Sequence, residues 1–79
     1  MWKKGTISIP IEDGNMVVCH YQVKYYEEPS TYGIKGGRIS KLMIRINGKV
    51  TCNFDRGWDI EPEDRESQLA LAILMIEHN

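Results

Sequence analysis

The chain is poor in the residues that most often announce chemistry. It has two cysteines and two histidines in 79 residues. Cys19 and Cys52 stand singly with no Cys-x-x-Cys, and His20 and His78 lie far apart. No redox dithiol or zinc-ligand spacing can be assembled from them. No Ser/His/Asp or Cys/His set assembles either, so no catalytic residue is assigned and no enzymatic activity is expected. Long apolar runs are also missing: none approaches the roughly 20 residues of a membrane span. The opening Met1-Trp2-Lys3-Lys4-Gly5-Thr6 lacks the apolar segment of a signal peptide, which leads us to expect a cytoplasmic protein with no membrane partner. The glycines of Gly33-Ile34-Lys35-Gly36-Gly37 are too few in register for a phosphate-binding loop, and no helix follows them directly. Internal repeats and low-complexity tracts are absent.

What is present describes one small globular domain, residues 1–79. A content of 42% hydrophobic and 27% charged residues is ordinary for a folded protein and argues against disorder. At this length a core barely sustains itself, and a partner subunit, disulfide or metal often helps. Cys19 and Cys52 fall on the apolar phase of their strands, which predicts free buried thiols. The net charge of −1 conceals an uneven distribution. Residues 14–54 carry six cations against two acids, and residues 55–79 carry seven acids against two cations. The middle is basic and the end acidic.

Strand signals dominate the first two thirds. Ile7, Ile9 and Ile11 alternate with Ser8 and Pro10, and Pro10 predicts a sheet edge because it cannot donate to a ladder. From Asn15 to Tyr26, Val17, Cys19, Tyr21, Val23 and Tyr25 share one face, opposite Val18, His20, Gln22 and Lys24. Glu27 to Gly37 breaks the pattern with one proline and three glycines and reads as a long mobile loop. The third strand sets Leu42, Ile44 and Ile46 against Lys41, Met43 and Arg45. In the fourth, Val50, Cys52 and Phe54 point inward and Thr51 and Asn53 outward.

Side-chain phase sets the expected turns. A two-residue Asn47-Gly48 loop would put Leu42 and Ile44 on the face opposite Val50 and Cys52. A three-residue loop, Ile46-Asn47-Gly48, pairs Arg45 with Lys49 and restores a common apolar face. The same rule at Glu12-Asp13-Gly14 sets Ile9 beside Val17 and Ile7 beside Cys19.

The stretch Asp55-Arg56-Gly57-Trp58-Asp59-Ile60-Glu61-Pro62 converts strand into helix. Pro62 suits the first helical position, and the acids Glu63, Asp64 and Glu66 suit the positive end of the helix dipole. Leu69, Ala72, Ile73 and Ile76 form the stripe expected to cover the sheet. Leu71, Leu74 and Met75 then fall on the far side and need a cover of their own. Trp2, the 27–37 loop, a second copy or another protein would each serve. The fold class that results is α+β, a four-stranded antiparallel β-meander with one C-terminal α-helix packed on one face.

Arg38-Ile39-Ser40-Lys41-Leu42, the Asn47-Gly48 turn, the word Asp55-Arg56-Gly57-Trp58-Asp59, Glu61-Pro62 and the Ala70 to Ile76 helix resemble a family of short uncharacterised proteins. Its members occur on conjugative elements and prophages of low-GC Gram-positive bacteria. The resemblance covers about the last half of the chain, and Asp-Arg-Gly-Trp-Asp is its most specific part. It implies a mobile-element setting but no reaction and no catalytic residue.

Two surfaces are therefore candidates. The first is protein contact by a non-enzymatic accessory protein, through Trp58, Leu71, Leu74 and Met75, with an unidentified protein or a second copy as partner. The alternative is nucleic-acid binding across the basic open sheet face by Lys24, Lys41, Arg45 and Lys49, with Lys35 and Arg38 at its edge. That face lacks paired aromatics for base stacking, with Tyr26 and Tyr32 as the only substitutes. Trp58 has a structural alternative as a plug for the open end of the core, its neighbour Arg56 pairing with Asp55 or Asp59. The acids around Asp55 to Asp64 do not match a calcium-loop spacing, and no metal or cofactor is expected.

Overall fold

The computed structural model describes residues 1–79. β1 (Trp2–Pro10), β2 (Met16–Tyr25), β3 (Ile39–Ile46), β4 (Lys49–Asp55) and β5 (Trp58–Ile60) form one antiparallel sheet in the order β1-β2-β3-β4-β5. A single helix, α1 (Arg65–His78), lies across one face. The α+β class and the meander hold, with five strands where four were expected. The added strand is the second half of the strand-to-helix stretch. Asp55 and Arg56 turn the chain, with Arg56 at φ 55°, and Trp58 pairs with Phe54 while Ile60 pairs with Asn53. Three residues are too few to display an alternation, which is why sequence pattern passed over them.

β1 is an edge strand, and Pro10 sits at its end opposite Met16. The first hairpin has the expected register, with Ile9 against Val17 and Ile7 against Cys19. The second hairpin differs. Asn47 and Gly48 have φ of 51° and 79°, the left-handed pair of a two-residue loop. Ile46 therefore pairs with Lys49 and Arg45 with Val50, and the register then shifts so that Ile44 meets Cys52 and Leu42 meets Phe54. The apolar faces are reconciled by a bulge inside β4, not by a longer loop. Thr51 is the extra residue, and its hydroxyl turns to the helix side, 2.6 Å from the Ser67 hydroxyl. A bulge accommodates one unpaired residue while the rest of the ladder keeps its phase.

The helix also differs from expectation, in both start and rotation. It begins after Asp64, not at Pro62, because the Asp64 carboxylate accepts the Ser67 backbone N–H at 2.8 Å. That bond satisfies one of the orphan donors of the first turn. The sheet-facing line is Ser67, Ala70, Leu74 and His78, each buried. Leu71, Ile73 and Met75 pack half-buried beside it. Leu69, Ala72 and Ile76, three of the four residues expected against the sheet, are exposed. Eight consecutive apolar residues from Leu69 to Ile76 make a helix hydrophobic all round, so periodicity does not select a face. Packing does. Small side chains at Ser67 and Ala70 admit close approach to the sheet, and Leu74 then fills the space over it.

The 27–37 segment, expected to be mobile, is closed by its own backbone bonds: Ser30 N–H to Gly37 O, Gly33 N–H to Ser30 O and Gly37 N–H to Ile34 O. Ile34 is in the core, 1% exposed. Asn79 locks the segment to the helix end, its Oδ1 accepting from Ile39 N–H at 3.0 Å and its Nδ2 donating to Ile34 O at 3.1 Å. A side chain at Gly37 would overlap the Asn79 amide, so glycine is required there by contact.

Candidate nucleic-acid interface

With α1 covering one face, the other face of the sheet is left open, as expected of an antiparallel sheet. Pairing defines which residues it presents. Trp2 lies opposite Lys24, Lys4 opposite Gln22, and Thr6 opposite His20. On the next strand His20 lies opposite Arg45, Gln22 opposite Met43, and Lys24 opposite Lys41. Lys4, Lys24, Lys41 and Arg45 thus share one surface spread over three adjacent strands. Asp55 is the carboxylate that meets them, 3.7 Å from Lys41 Nζ, in a pair that solvent screens.

Of the six cations named from sequence, Lys24, Lys41 and Arg45 are brought together here. Lys49 is paired with Ile46 at the hairpin tip and belongs to the other phase. Lys35 occupies a left-handed turn position, φ 52°, in the closed loop. Arg38 lies near enough to His78 to affect its proton affinity, on the helix side of the sheet. Lys4 and Trp2 were missed because Gly5 interrupts the opening residues and delays the apparent start of β1. The missed signal is the alternation Trp2, Lys4, Thr6, Ser8, which continues through the glycine. Gly5 is there for Tyr21: a Cβ at position 5 would lie 2.9 Å from the Tyr21 hydroxyl oxygen.

Trp2 supplies what the face was expected to lack. Lys24 Nζ lies 5.8 Å from the Trp2 ring and 5.5 Å from the Tyr26 ring, so the ammonium is within cation–π reach of both. Shallow open depressions run beside these groups. One is walled by Trp2, Gln22, Lys41, Met43, Asn53 and Asp55, another by Lys4, His20, Gln22, Met43 and Arg45 among others.

The protein-contact candidates are distributed differently from expectation. Leu74 is 0% exposed and belongs to the core; it has no surface to offer a partner. Leu71 and Met75 are half-buried against that core. Trp58 remains partly open and meets Phe54 edge-on, ring centroids 5.1 Å apart. This accounts for its mass at the end of the core, and Arg56 accompanies it in a loose pair with Asp55 at 4.0 Å.

The remaining titratable groups serve the interior. Cys19 and Cys52 are free and buried. Burial raises the affinity of both thiols for their protons, with nearby Asp64 adding to the effect, and Cys52 is pushed up to about 12. Both are therefore unreactive thiols. His78 is stacked on Tyr25 at 4.8 Å, and burial, followed by the charge of Lys3, lowers its proton affinity. Glu77 Oε2 stands 3.5 Å from Nε2 without completing a hydrogen bond, and that buried nitrogen has no partner. A neutral imidazole makes this contact no ion pair. No cluster of three His, Cys, Asp or Glu side chains is placed to hold a metal, and no helix is long and apolar enough to cross a membrane.

A family model matches residues 1–79, the whole of this sheet and its helix. The chain belongs to DUF7678, a family defined by a domain of unknown function. The match extends over the N-terminal strands as well as the last half of the chain, so β1 with Trp2 and Lys4 lies inside the family domain. No curated protein and no solved structure matches the chain.

Proposed function

We propose that this protein is a small, cytoplasmic, non-enzymatic module that binds nucleic acid across the open face of its sheet. The observation that carries this reading is the gathering of cations on the open face. Four cations stand on three neighbouring strands, with Asp55 beside Lys41 and Asp59 bonded to Asn53 at the β4–β5 side. Asp64 and Glu66 lie on the opposite side, close enough to act on the buried thiols. A molecule of net charge −1 thereby presents a local positive surface to a phosphate backbone. A mobile-element setting, which the family resemblance implies, belongs to the same proposal, since such elements are transferred as nucleic acid.

Four phosphate contacts on a single strand give a slope of log affinity against log salt of about −3. Fluorescence anisotropy of labelled oligonucleotides over a salt series measures it. The double variant Lys24→Glu/Arg45→Glu should lose binding while keeping its circular dichroism spectrum. Absence of binding by the native protein at about 50 mM salt, or indifference to the charge reversal, removes the reading.

A protein-contact reading has an observation in its favour, at residues other than those first named. Ile76 is 86% and Leu69 39% exposed on the outer side of α1, with Ala72 between them. A helix left apolar on its solvent side gains from a cover. Light scattering after size exclusion tests the self-association version, and a clean monomer at high concentration would sink it.

A further inference from the structure

The open face carries rings as well as charge. Trp2 is 56% and Tyr26 47% exposed, and neither belongs to the core. Both lie within cation–π reach of one ammonium, that of Lys24, at 5.8 and 5.5 Å. Tyr32, more exposed still, joins Tyr26, Ser30, Lys41 and Arg56 around a shallow groove at the same end of the sheet. Gln22 and Asn53 line the same depression as Trp2 and Lys41; Asn53 Nδ2 donates to Asp59 at 3.1 Å, and the Gln22 amide is able both to donate to and accept from the edges of bases.

We infer that the strand form recognised by this face is single-stranded, with bases stacked on Trp2 and Tyr26 and a phosphate between them meeting Lys24. The inference rests on the nucleic-acid reading and narrows it. A duplex keeps its base faces stacked inside and offers the sheet phosphates and groove edges, which engage the lysines and leave the rings idle. An unpaired strand offers phosphates and base faces together, and stacking is indifferent to which base is offered. The shallow, open form of the grooves suits a flexible strand laid across the sheet. Sequence preference is accordingly weak, and discrimination lies between paired and unpaired strands.

The chain's two tryptophans stand on opposite edge strands, β1 and β5, and single-tryptophan variants separate their fluorescence. In a Trp58→Phe background Trp2 is the sole indole, and a single strand of about 12 nucleotides should quench it saturably. With Trp58 left as the sole indole, in Trp2→Phe, the quench should be lost. Trp2→Ala should weaken single-strand binding at least about fivefold, the lower end of one base–aromatic stack, and leave duplex binding within about twofold, since phosphate contacts persist. Tyr26→Ala, away from the edge strand, provides a second variant of the same prediction if Trp2→Ala fails to fold. Equal affinity of the native protein for single strand and duplex overturns the inference, as does heparin competing as well as the oligonucleotide. If both strand forms fail to bind, the broader nucleic-acid reading fails instead.

Discussion

The rotation of α1 is tested most directly by comparing Leu74→Ala with Ile76→Ala. The two positions are separated by about 200° around the helix axis, so only one of them can face the sheet. Leu74 is 0% exposed over Ala70 and the sheet core, and Ile76 is 86% exposed. Truncating a fully buried leucine removes its transfer free energy and leaves a cavity, together about 2–5 kcal/mol. A domain of this size holds about 4–12 kcal/mol in all, so Leu74→Ala should take away a large share of the stability. At about 4–8 °C per kcal/mol for a small domain, a 3 kcal/mol loss lowers Tm by roughly 12–24 °C. Ile76→Ala should change stability by no more than about 0.5 kcal/mol, and the higher helix propensity of alanine can make the change favourable. Urea unfolding followed by circular dichroism, with thermal melts alongside, measures both. If Ile76→Ala proves the costlier substitution, α1 is turned the other way and the stripe Leu69, Ala72, Ile73 and Ile76 covers the sheet after all.

The remaining predictions concern the polar groups of the interior. His78 is held neutral, with folded proton affinity below that of the unfolded chain; the stabilisation is present above the unfolded value of about 6.5 and is lost as pH falls through and below it. Stability should therefore decline between about pH 7.5 and 5.5, and His78→Phe, which keeps the stack on Tyr25, should flatten the profile in urea titrations. An unchanged pH dependence in that variant would show that His78 is not the titrating group. The Thr51 and Ser67 hydroxyls at 2.6 Å form the contact between the β4 bulge and α1. Ser67→Ala removes that bond while Thr51 keeps its bond to Ile44 O at 3.5 Å, and should cost about 0.5–1.5 kcal/mol. The double variant Thr51→Val/Ser67→Ala should cost less than the sum of the two single changes, and a double-mutant cycle with no coupling would remove the bond as a stabilising element.

Much of the sheet is legible along the chain. The alternation from Val17 to Tyr25 and from Leu42 to Ile46 identifies the strands and their inward faces, and Pro10 marks the edge. Three of the basic residues of the candidate interface follow from that alternation alone. Lys4 and Trp2 escape it because Gly5, needed to clear Tyr21, makes the first strand look shorter than it is. β5 escapes because three residues carry no period. At the second hairpin, Asn47-Gly48 states its turn type correctly, and the apparent conflict with the apolar phase arises from treating β4 as regular.

Sequence by itself determined a single α+β meander with a C-terminal helix, a basic sheet surface and buried free thiols, because each depends on local pattern and composition. Tertiary structure decided the rest. The helix is apolar on all sides, so its phase was chosen by which side chains could fit: Ser67 and Ala70 against the sheet, Leu74 into the core, Ile76 left in solvent. The same packing drew Thr51 into a bulge to reach Ser67, and strand pairing set Trp2 beside Lys24. That last contact joins residues 22 apart in sequence, and it is what turns a row of cations into a surface with two rings close to one of them.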